Sequence, residues 1–208
     1  MPKAEIKQIF EDALLVNRIK ERLPKLFRIA EIESSRAGKI GMEVGFLREK
    51  ILVALLIHKF GKDKVNTNIP ATEPEIDVVL DGNAISIKTI TGNGGVKAIW
   101  TVDAQSSKNF LGKYSPKCDI LIVQTWWEKE RDSFFLIPLS VQKEIFNKIG
   151  RGNYLNLPKE GANPRGVEFN RNAMELLLNH KETLKIKINW VQKEVPYDVY
   201  QRWVNYWE

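Results

Sequence analysis

Three polar side chains able to support hydrolysis fall within one short stretch of the sequence: Asp77, Ser86 and Lys88. A carboxylate can hold a cation, and a lysine ammonium can stabilise negative charge that develops in a transition state. Apolar and polar residues alternate around all three positions, which indicates β-structure. Asp-Gly between the two alternating runs is typical of a hairpin turn, so residues 75–90 are predicted to form a β-hairpin.

The position of the turn decides which residue faces Asp77. A turn at Asp81-Gly82 places Asp77 opposite Ser86, whereas a turn at Gly82-Asn83 places it opposite Lys88. Because strand side chains alternate with period two, either turn puts these three side chains on one face. The other face then carries the apolar side chains expected of a core: Ile76, Val78, Leu80, Ile85 and Ile87.

Composition favours one globular domain with a substantial core, since the chain has 208 residues and 43% hydrophobic content. The net charge of +6 and pI of about 9.3 favour a polyanionic partner. Cys118 is the single cysteine, which favours a reducing compartment. The longest apolar run, residues 51–57, is too short for a membrane span, and the N-terminus is unlike a signal peptide. We therefore expect a soluble cytoplasmic protein that does not bind membranes.

The elements needed to position the hairpin follow from hydrophobic spacing. Helices are predicted over residues 3–30 (packing helices or a dimer arm), 42–60, 103–112, 140–149 and 174–180. Strands are predicted within 62–72, in the hairpin, and at 96–102 (as a third antiparallel strand), 119–127, 134–137 and 184–191. This order predicts an α/β fold with a mixed central β-sheet flanked by helices.

Several features outside the hairpin allow either a structural or a functional interpretation. Glu49 lies at the edge of the buried half of helix 42–60, where an isolated carboxylate is more often solvated. Residues 91–95 form either a plain turn or a backbone-rich loop able to approach a phosphate. Residues 151–171 are predicted to be a long polar loop, either a plain surface loop or, because it is rich in the Arg and Asn that suit base edges, a functional one. The aromatic tail is interpreted as a docked helix or a dimer contact.

The hairpin resembles the core of the PD-(D/E)XK nuclease family, and the whole chain resembles a type II restriction endonuclease of that family. Asp77 matches the family's first Asp, and Ser86-Ile87-Lys88 occupies its acid-x-Lys segment. Two positions depart from the pattern, because Ile76 replaces the Pro and Ser86 replaces the second carboxylate. Some members supply a glutamate from the preceding helix, so the resemblance implies that Glu49 is the missing acid.

The resemblance implies site-specific, Mg²⁺-dependent hydrolysis of phosphodiester bonds in both strands of a short palindromic double-stranded DNA site, with no small-molecule substrate. Glu49, Asp77 and Lys88 would be catalytic, and Glu49, Asp77 and the Ile87 backbone carbonyl would bind the metal. Lys88 would orient the attacking water and offset developing charge. A C2 homodimer would match the symmetry of the palindrome.

The predicted domain comprises a helical arm (1–41), a catalytic core (42–138) and a region for DNA recognition or dimerisation (139–208). Met42 lies two turns before Glu49 and is either a packing residue or a wedge between base pairs. Gly45, on the same helix stripe, would allow a phosphate to approach closely. The basic candidates for phosphate or base contacts are Lys39, Arg48, Lys97, Arg151, Arg165 and Arg171.

Two other functions fit the same residues. A nuclease resembling a Holliday-junction resolvase would share the metal site but cut branched DNA. A non-catalytic DNA-binding protein could retain the nuclease scaffold, with Ser86 marking the loss of the site.

Overall fold

The computed structural model describes residues 4–37, 39–41, 43–70, 73, 75–99, 104–156 and 166–208. Its helices are α1 (Ala4–Glu11), α2 (Ala13–Ser34), α3 (Val44–Phe60), α4 (Ala104–Lys113), α5 (Leu139–Ile149), α6 (Arg151–Tyr154), α7 (Arg171–Asn179) and α8 (Gln201–Val204). Its strands are β1 (Ser35–Arg36), β2 (Lys39–Ile40), β3 (Val65–Asn66), β4 (Val78–Leu80), β5 (Asn83–Thr91), β6 (Lys97–Ile99), β7 (Asp119–Thr125), β8 (Lys129–Ile137), β9 (Leu155–Asn156), β10 (Val167–Phe169) and β11 (Leu184–Trp190). None of the described helices is long and apolar enough to cross a membrane.

The largest sheet formed by the described residues has six strands in the order β11-β8-β7-β5-β4-β3. β5 and β7 are parallel, and the other neighbours are antiparallel. A parallel pair needs a crossover connection, and α4 lies in the connection between β5 and β7. This arrangement confirms the predicted α/β fold with a mixed central sheet flanked by helices.

The sheet separates two apolar layers. On one face, α1, α2 and α3 pack against fully buried strand residues that include Val78, Ile85 and Ile87. On the other face, the cluster contains α5 and α7 side chains together with Ile122 and Phe135. The alternation predicted for the hairpin therefore puts its apolar side against the N-terminal helices, which fixes the polar side of β5 relative to the core.

The helix that carries Glu49 begins and ends as its sequence predicts. α3 confirms the helix expected over residues 42–60, although it begins at Val44. Met42 lies outside the described residues. Gly61 follows the last turn with a φ of 89°, a conformation that favours glycine, and its N–H donates to Ile57 O at 2.8 Å. The long helix α2, which packs against α3, is capped at its N-terminus by Asp12, whose carboxylate accepts from the N–H groups of Leu14 and Leu15.

The predicted third strand of the hairpin pairs elsewhere. β6 lies beside β10 in a small separate sheet, because Gly92 (φ 56°) turns the chain out of the central sheet. The Gly92 N–H donates to Thr125 O at 2.8 Å, which holds this exit in place. The strand that extends the hairpin is β3, which pairs with β4. Residues 100–102 of the predicted strand lie outside the described residues.

Two further segments differ from prediction. Residues 151–171, expected to be one long loop, contain α6, β9 and β10, and residues 157–165 lie outside the described part of the chain. The aromatic tail contains the four-residue helix α8, and its large side chains are exposed rather than docked on the core of the chain.

Candidate active site

The hairpin turn falls at Asp81-Gly82. Both residues have positive φ, 47° and 77°, as a type I′ turn requires. The register pairs Val78 with Ile85, and continuing it by one position sets Asp77 opposite Ser86. Of the two registers that the sequence allows, the structure has the first.

The Asp77 carboxylate is the centre of the site. Its Oδ2 accepts from the Ile87 N–H at 2.6 Å and from Ser86 Oγ at 3.2 Å. Lys88 Nζ lies 3.4 Å from the same oxygen, and the Asp77 and Lys88 side chains are 30% and 16% exposed. The hairpin thus holds a carboxylate and an ammonium side by side while leaving both accessible from solvent.

Glu49 approaches this pair from α3. Burial raises the pKa of Glu49 to about 7, the positive charge of Lys88 lowers it, and the negative charge of Asp77 raises it further. Contact between α3 and β5 sets this approach, since Thr89 Oγ1 lies 3.5 Å from the Gly45 carbonyl one turn before Glu49. The structure therefore brings Glu49, Asp77 and Lys88 into one electrostatic unit.

The donors in this unit suit a hard divalent cation. The described residues contain no group of three or more His, Cys, Asp or Glu side chains placed to hold a metal ion. Mg²⁺ usually keeps several waters and takes only one or two protein carboxylates, which Glu49 and Asp77 can supply. A cation would also offset the repulsion between these two acids, one of which is half-buried with a raised pKa.

A second buried acid, Glu75, belongs to the same electrostatic neighbourhood and was missed in the sequence. Burial raises the pKa of Glu75 to about 7, while Lys117 and Lys88 lower it. Glu75 and Ser86 line one small cavity, next to Tyr114 and Cys118. Its closeness to Asp77 in the sequence was the one signal, since Glu75 lies two residues earlier, in the turn that leads into β4.

The chain is similar to known proteins along almost its whole length. The profile of the family described as "Restriction endonuclease ThaI" matches residues 9–208. The chain belongs to the ThaI restriction endonuclease family. A solved structure described as "Restriction endonuclease in complex with substrate DNA" is similar, with 48% sequence identity, a TM-score of 0.90 and coverage of 98% of both chains. A search of the curated proteins found no match.

Membership of the ThaI family confirms the resemblance to restriction endonucleases, and with it the nuclease class of the enzyme. Arg48, however, is a core residue of this ThaI-family enzyme rather than a DNA contact. Its side chain is 3% exposed, and Nη2 lies 2.5 Å from Oε1 of Glu31, which is 1% exposed. Arg48 Nη1 also donates to Thr91 Oγ1 at 2.8 Å, and Trp127 Nε1 donates to Glu31 at 2.7 Å. These bonds leave the guanidinium no surface to offer to a nucleic acid.

Two other candidates, near the start of α3 in this ThaI-family enzyme, are accessible. Lys39 is exposed on β2. Gly45 lies in the first turn of α3, and a Cβ built there meets nothing within 4 Å, so the space beside it is open. Met42, between them, lies outside the described residues. Lys39 and Gly45 thus lie on the segment that leads to Glu49.

Three of the remaining basic candidates of the ThaI-family enzyme, Lys97, Arg151 and Arg171, have partners within the protein. Lys97 Nζ lies 2.8 Å from Glu168, and the exposed Arg171 lies 3.5 Å from Glu175. Arg151 donates to the backbone carbonyls of Gly112 and Tyr114, at 2.7 and 3.1 Å, and so secures the end of α4. Arg165 lies outside the described residues.

The glycine loop at residues 91–95 lines a polar cavity of about 200 Å³ at the end of β5. Arg171 lines this cavity, but so do the carboxylates of Glu168 and Glu175. Glu168 packs closely enough that a Cβ on Gly95 would lie 2.7 Å from its Oε2. Two acids favour the structural interpretation of this loop over a phosphate site, because they would repel a phosphate.

Proposed function

We propose that this restriction endonuclease hydrolyses phosphodiester bonds in both strands of a short palindromic double-stranded DNA site, with Mg²⁺ as cofactor and as a homodimer. The observation that carries the proposal is the unit formed by Glu49, Asp77 and Lys88, in which Lys88 Nζ lies 3.4 Å from Asp77 Oδ2. The similar solved structure is described as bound to substrate DNA, which supports a duplex as the substrate. Cys118, buried and unpaired, fits a reducing cytoplasmic location.

Glu49 and Asp77 would hold the Mg²⁺ ion, with the Ile87 backbone carbonyl as a third ligand. When bound, Mg²⁺ lowers the pKa of a coordinated water and polarises the phosphate. The Ile87 N–H and the Ser86 hydroxyl both donate to Asp77 Oδ2, so they orient this carboxylate. Ser86 acts as a hydrogen-bond donor to the acid and not as a metal ligand, since a hydroxyl is a poor substitute for a carboxylate here.

Lys88 would orient the attacking water and offset the charge that develops on the phosphate. An ammonium is suited to both tasks because it carries three donors and a full positive charge at neutral pH. Its neighbours keep it in position, since Asp77, Glu49 and Glu75 all act on it electrostatically.

The proposed DNA contacts are distributed around α3 and the C-terminal half of the chain. Lys39 and Gly45 are accessible beside Glu49, and Lys97, Arg151, Arg165 and Arg171 remain proposed contacts to phosphates or bases. The net charge of +6 supports binding to a polyanion. Lys97 and Arg171 must exchange a carboxylate partner for the nucleic acid, so their contribution is expected to be smaller than that of Lys39.

Met42 is proposed to insert between base pairs, which favours a flexible pyrimidine–purine step in the recognition site. Met42→Ala should then weaken specific binding far more than non-specific binding, measured as dissociation constants for cleavable and scrambled duplexes at one salt concentration. An equal loss for both duplexes would contradict the wedge.

The deciding experiment is incubation of the purified protein with plasmid DNA and Mg²⁺, with and without chelator. Discrete fragments that disappear with chelator are expected. Asp77→Asn should abolish them, whereas the matched control Asp132→Asn should not, because Asp132 is in an exposed pair with Lys185 at 3.3 Å on the far part of the sheet. Cutting confined to branched DNA would indicate a junction nuclease, and bound but intact plasmid would indicate a non-catalytic protein.

A further inference from the structure

The aromatic segment, defined as residues 197–208, presents an apolar surface to solvent. The exposed fractions are 70% for Tyr200, 53% for Trp203, 84% for Tyr206 and 92% for Trp207. Single exposed apolar side chains are ordinary on a protein, but a contiguous group of large ones marks an interaction surface. Tyr and Trp are also among the residues most enriched at the centres of protein interfaces.

This segment is held in place rather than hanging free. The Tyr197 hydroxyl donates to Glu33 Oε2 at 3.1 Å, and Arg202 forms an ion pair with the other oxygen of the same carboxylate. Glu33 lies in the last turn of α2, so both bonds tie the segment to a long packed helix. A segment whose backbone is already held loses less conformational entropy when it binds, which favours association.

The charge of the segment excludes a nucleic acid as its partner. It carries Asp198 and Glu208 against a single arginine, Arg202, and that arginine pairs with Glu33. Binding to a phosphate backbone requires accessible lysine or arginine side chains, which release counterions from the DNA. The surface is therefore suited to another protein surface and not to DNA.

We propose that the aromatic segment is the subunit interface and that its occupant is a second copy of this chain. Scaled by their exposure, four aromatic side chains offer roughly 450–750 Å² per protomer, and a stable interface buries about 800 Å² per partner. Val204, 48% exposed, adds to this area. In a two-fold arrangement the same patch of each subunit contacts its counterpart, so both subunits contribute the same area.

The interface adjoins the element that leads to the active site. Glu33 is followed by the β1–β2 ribbon, which is closed by the Gly41 N–H donating to Ser34 O at 2.9 Å and continues into α3 and Glu49. This inference rests on the proposed function in one respect, which is that two catalytic sites act on one duplex. A subunit contact at this end of α2 would place the two copies of that segment next to each other.

The test compares the wild-type protein with the double variant Trp203→Ala/Trp207→Ala by sedimentation velocity without DNA, at about 10 µM. The wild type should be a dimer and the double variant a monomer that keeps the wild-type circular dichroism spectrum, since both side chains are exposed. The matched control is Leu14→Ala, which removes an equally exposed side chain (79%) on α2 and should stay dimeric. At nanomolar concentration the double variant should also cut supercoiled plasmid at least 10-fold more slowly than wild type.

A wild type that sediments as a monomer, or a double variant that stays dimeric, would overturn the interface. A dimeric double variant that binds DNA more weakly would also overturn it, by assigning the segment to DNA. Failure of the proposed function is a separate result: the wild type would dimerise through this segment yet leave plasmid DNA intact with Mg²⁺.

Discussion

Two neighbouring residues of α3, Arg48 and Glu49, belong to two charged groups that differ in distance and in burial. Arg48 forms a pair with Glu31 at 2.5 Å, with both side chains at 3% exposure or less. Its neighbour Glu49 faces the looser pair of Asp77 and Lys88, which is 3.4 Å apart and partly exposed. The first pair has its charges satisfied within the protein, whereas the second stands beside a further acid, Glu49, whose negative charge a proton or a cation can offset.

This contrast shows how one helix can serve both structure and chemistry. Adjacent residues on a helix point about 100° apart, so Arg48 can enter the interior while Glu49 points elsewhere. The Arg48 guanidinium joins α3 to α2 through Glu31 and to the end of β5 through Thr91. Fixing α3 in this way also fixes the direction of Glu49 toward the hairpin.

The largest effect is expected from breaking the buried pair. Arg48→Met should lower the free energy of unfolding by about 3–5 kcal/mol. The buried Glu31 carboxylate would lose its closest and most buried cation and keep only the partly exposed Arg28, whose Nη1 lies 3.2 Å from Glu31 Oε2. The double variant Glu31→Leu/Arg48→Met should recover most of that loss, since an apolar pair removes the buried charges altogether. Urea denaturation measures both values, and equal losses in the single and double variants would contradict this account.

The exposed pair should show the opposite behaviour. Lys88→Met is expected to slow single-turnover DNA cleavage by about 10²–10³-fold, the effect of removing one group that stabilises transition-state charge. Its free energy of unfolding should change by less than about 1 kcal/mol, as for other partly exposed pairs. A variant that unfolds more readily but cuts at the wild-type rate would make Lys88 a structural residue like Arg48.

Burial of Glu49, beside the negative charge of Asp77, predicts a pH dependence of stability in metal-free buffer. The pKa of Glu49 is about 7 in the folded protein and 4.5 in the reference state, so the native state binds more protons between these values. Stability should therefore fall as pH rises from about 4.5 to 7 and level off above, by at most about 3 kcal/mol from this group. Glu49→Gln should lack this contribution and gain on wild type as pH rises.

Chemical denaturation from pH 5 to 8 compares the two proteins. Glu75, whose pKa is also raised to about 7, titrates in both and cancels in the difference. Parallel stability curves for wild type and Glu49→Gln would show that folding does not raise the pKa of Glu49. Addition of Mg²⁺ should flatten the wild-type curve, because the ion binds the deprotonated native site.

The smallest effect is expected at Ser86. Ser86→Ala removes one donor, 3.2 Å from Asp77 Oδ2, while the Ile87 N–H at 2.6 Å still orients the carboxylate. Loss of one such hydrogen bond corresponds to about 1 kcal/mol, or roughly 5-fold in cleavage rate. A loss of 100-fold or more would give Ser86 a part in the chemistry itself and not in the support of Asp77.

Short-range patterns in the sequence predicted the parts of this protein that depend on local rules. A hairpin turn within residues 81–83, the alternation of β5 and the end of α3 at Gly61 all follow from backbone preferences and side-chain periodicity. The sequence left two turns open, and the structure has the one at Asp81-Gly82. The pairing of β6 did not follow, because a strand's partner depends on where the chain leaves the sheet, and Gly92 decides that through a bond to Thr125.

The sequence by itself determined that an acid, a serine and a lysine share one face of a hairpin, since that conclusion needs only period-two alternation. Tertiary structure decided which other charges join them. Arg48 and Glu49 are neighbours in the chain, yet packing against Glu31 buries the first and the approach of α3 to β5 directs the second to Asp77. Glu75 joins the site for the same reason, because burial and long-range electrostatics arise only once separate elements are packed together.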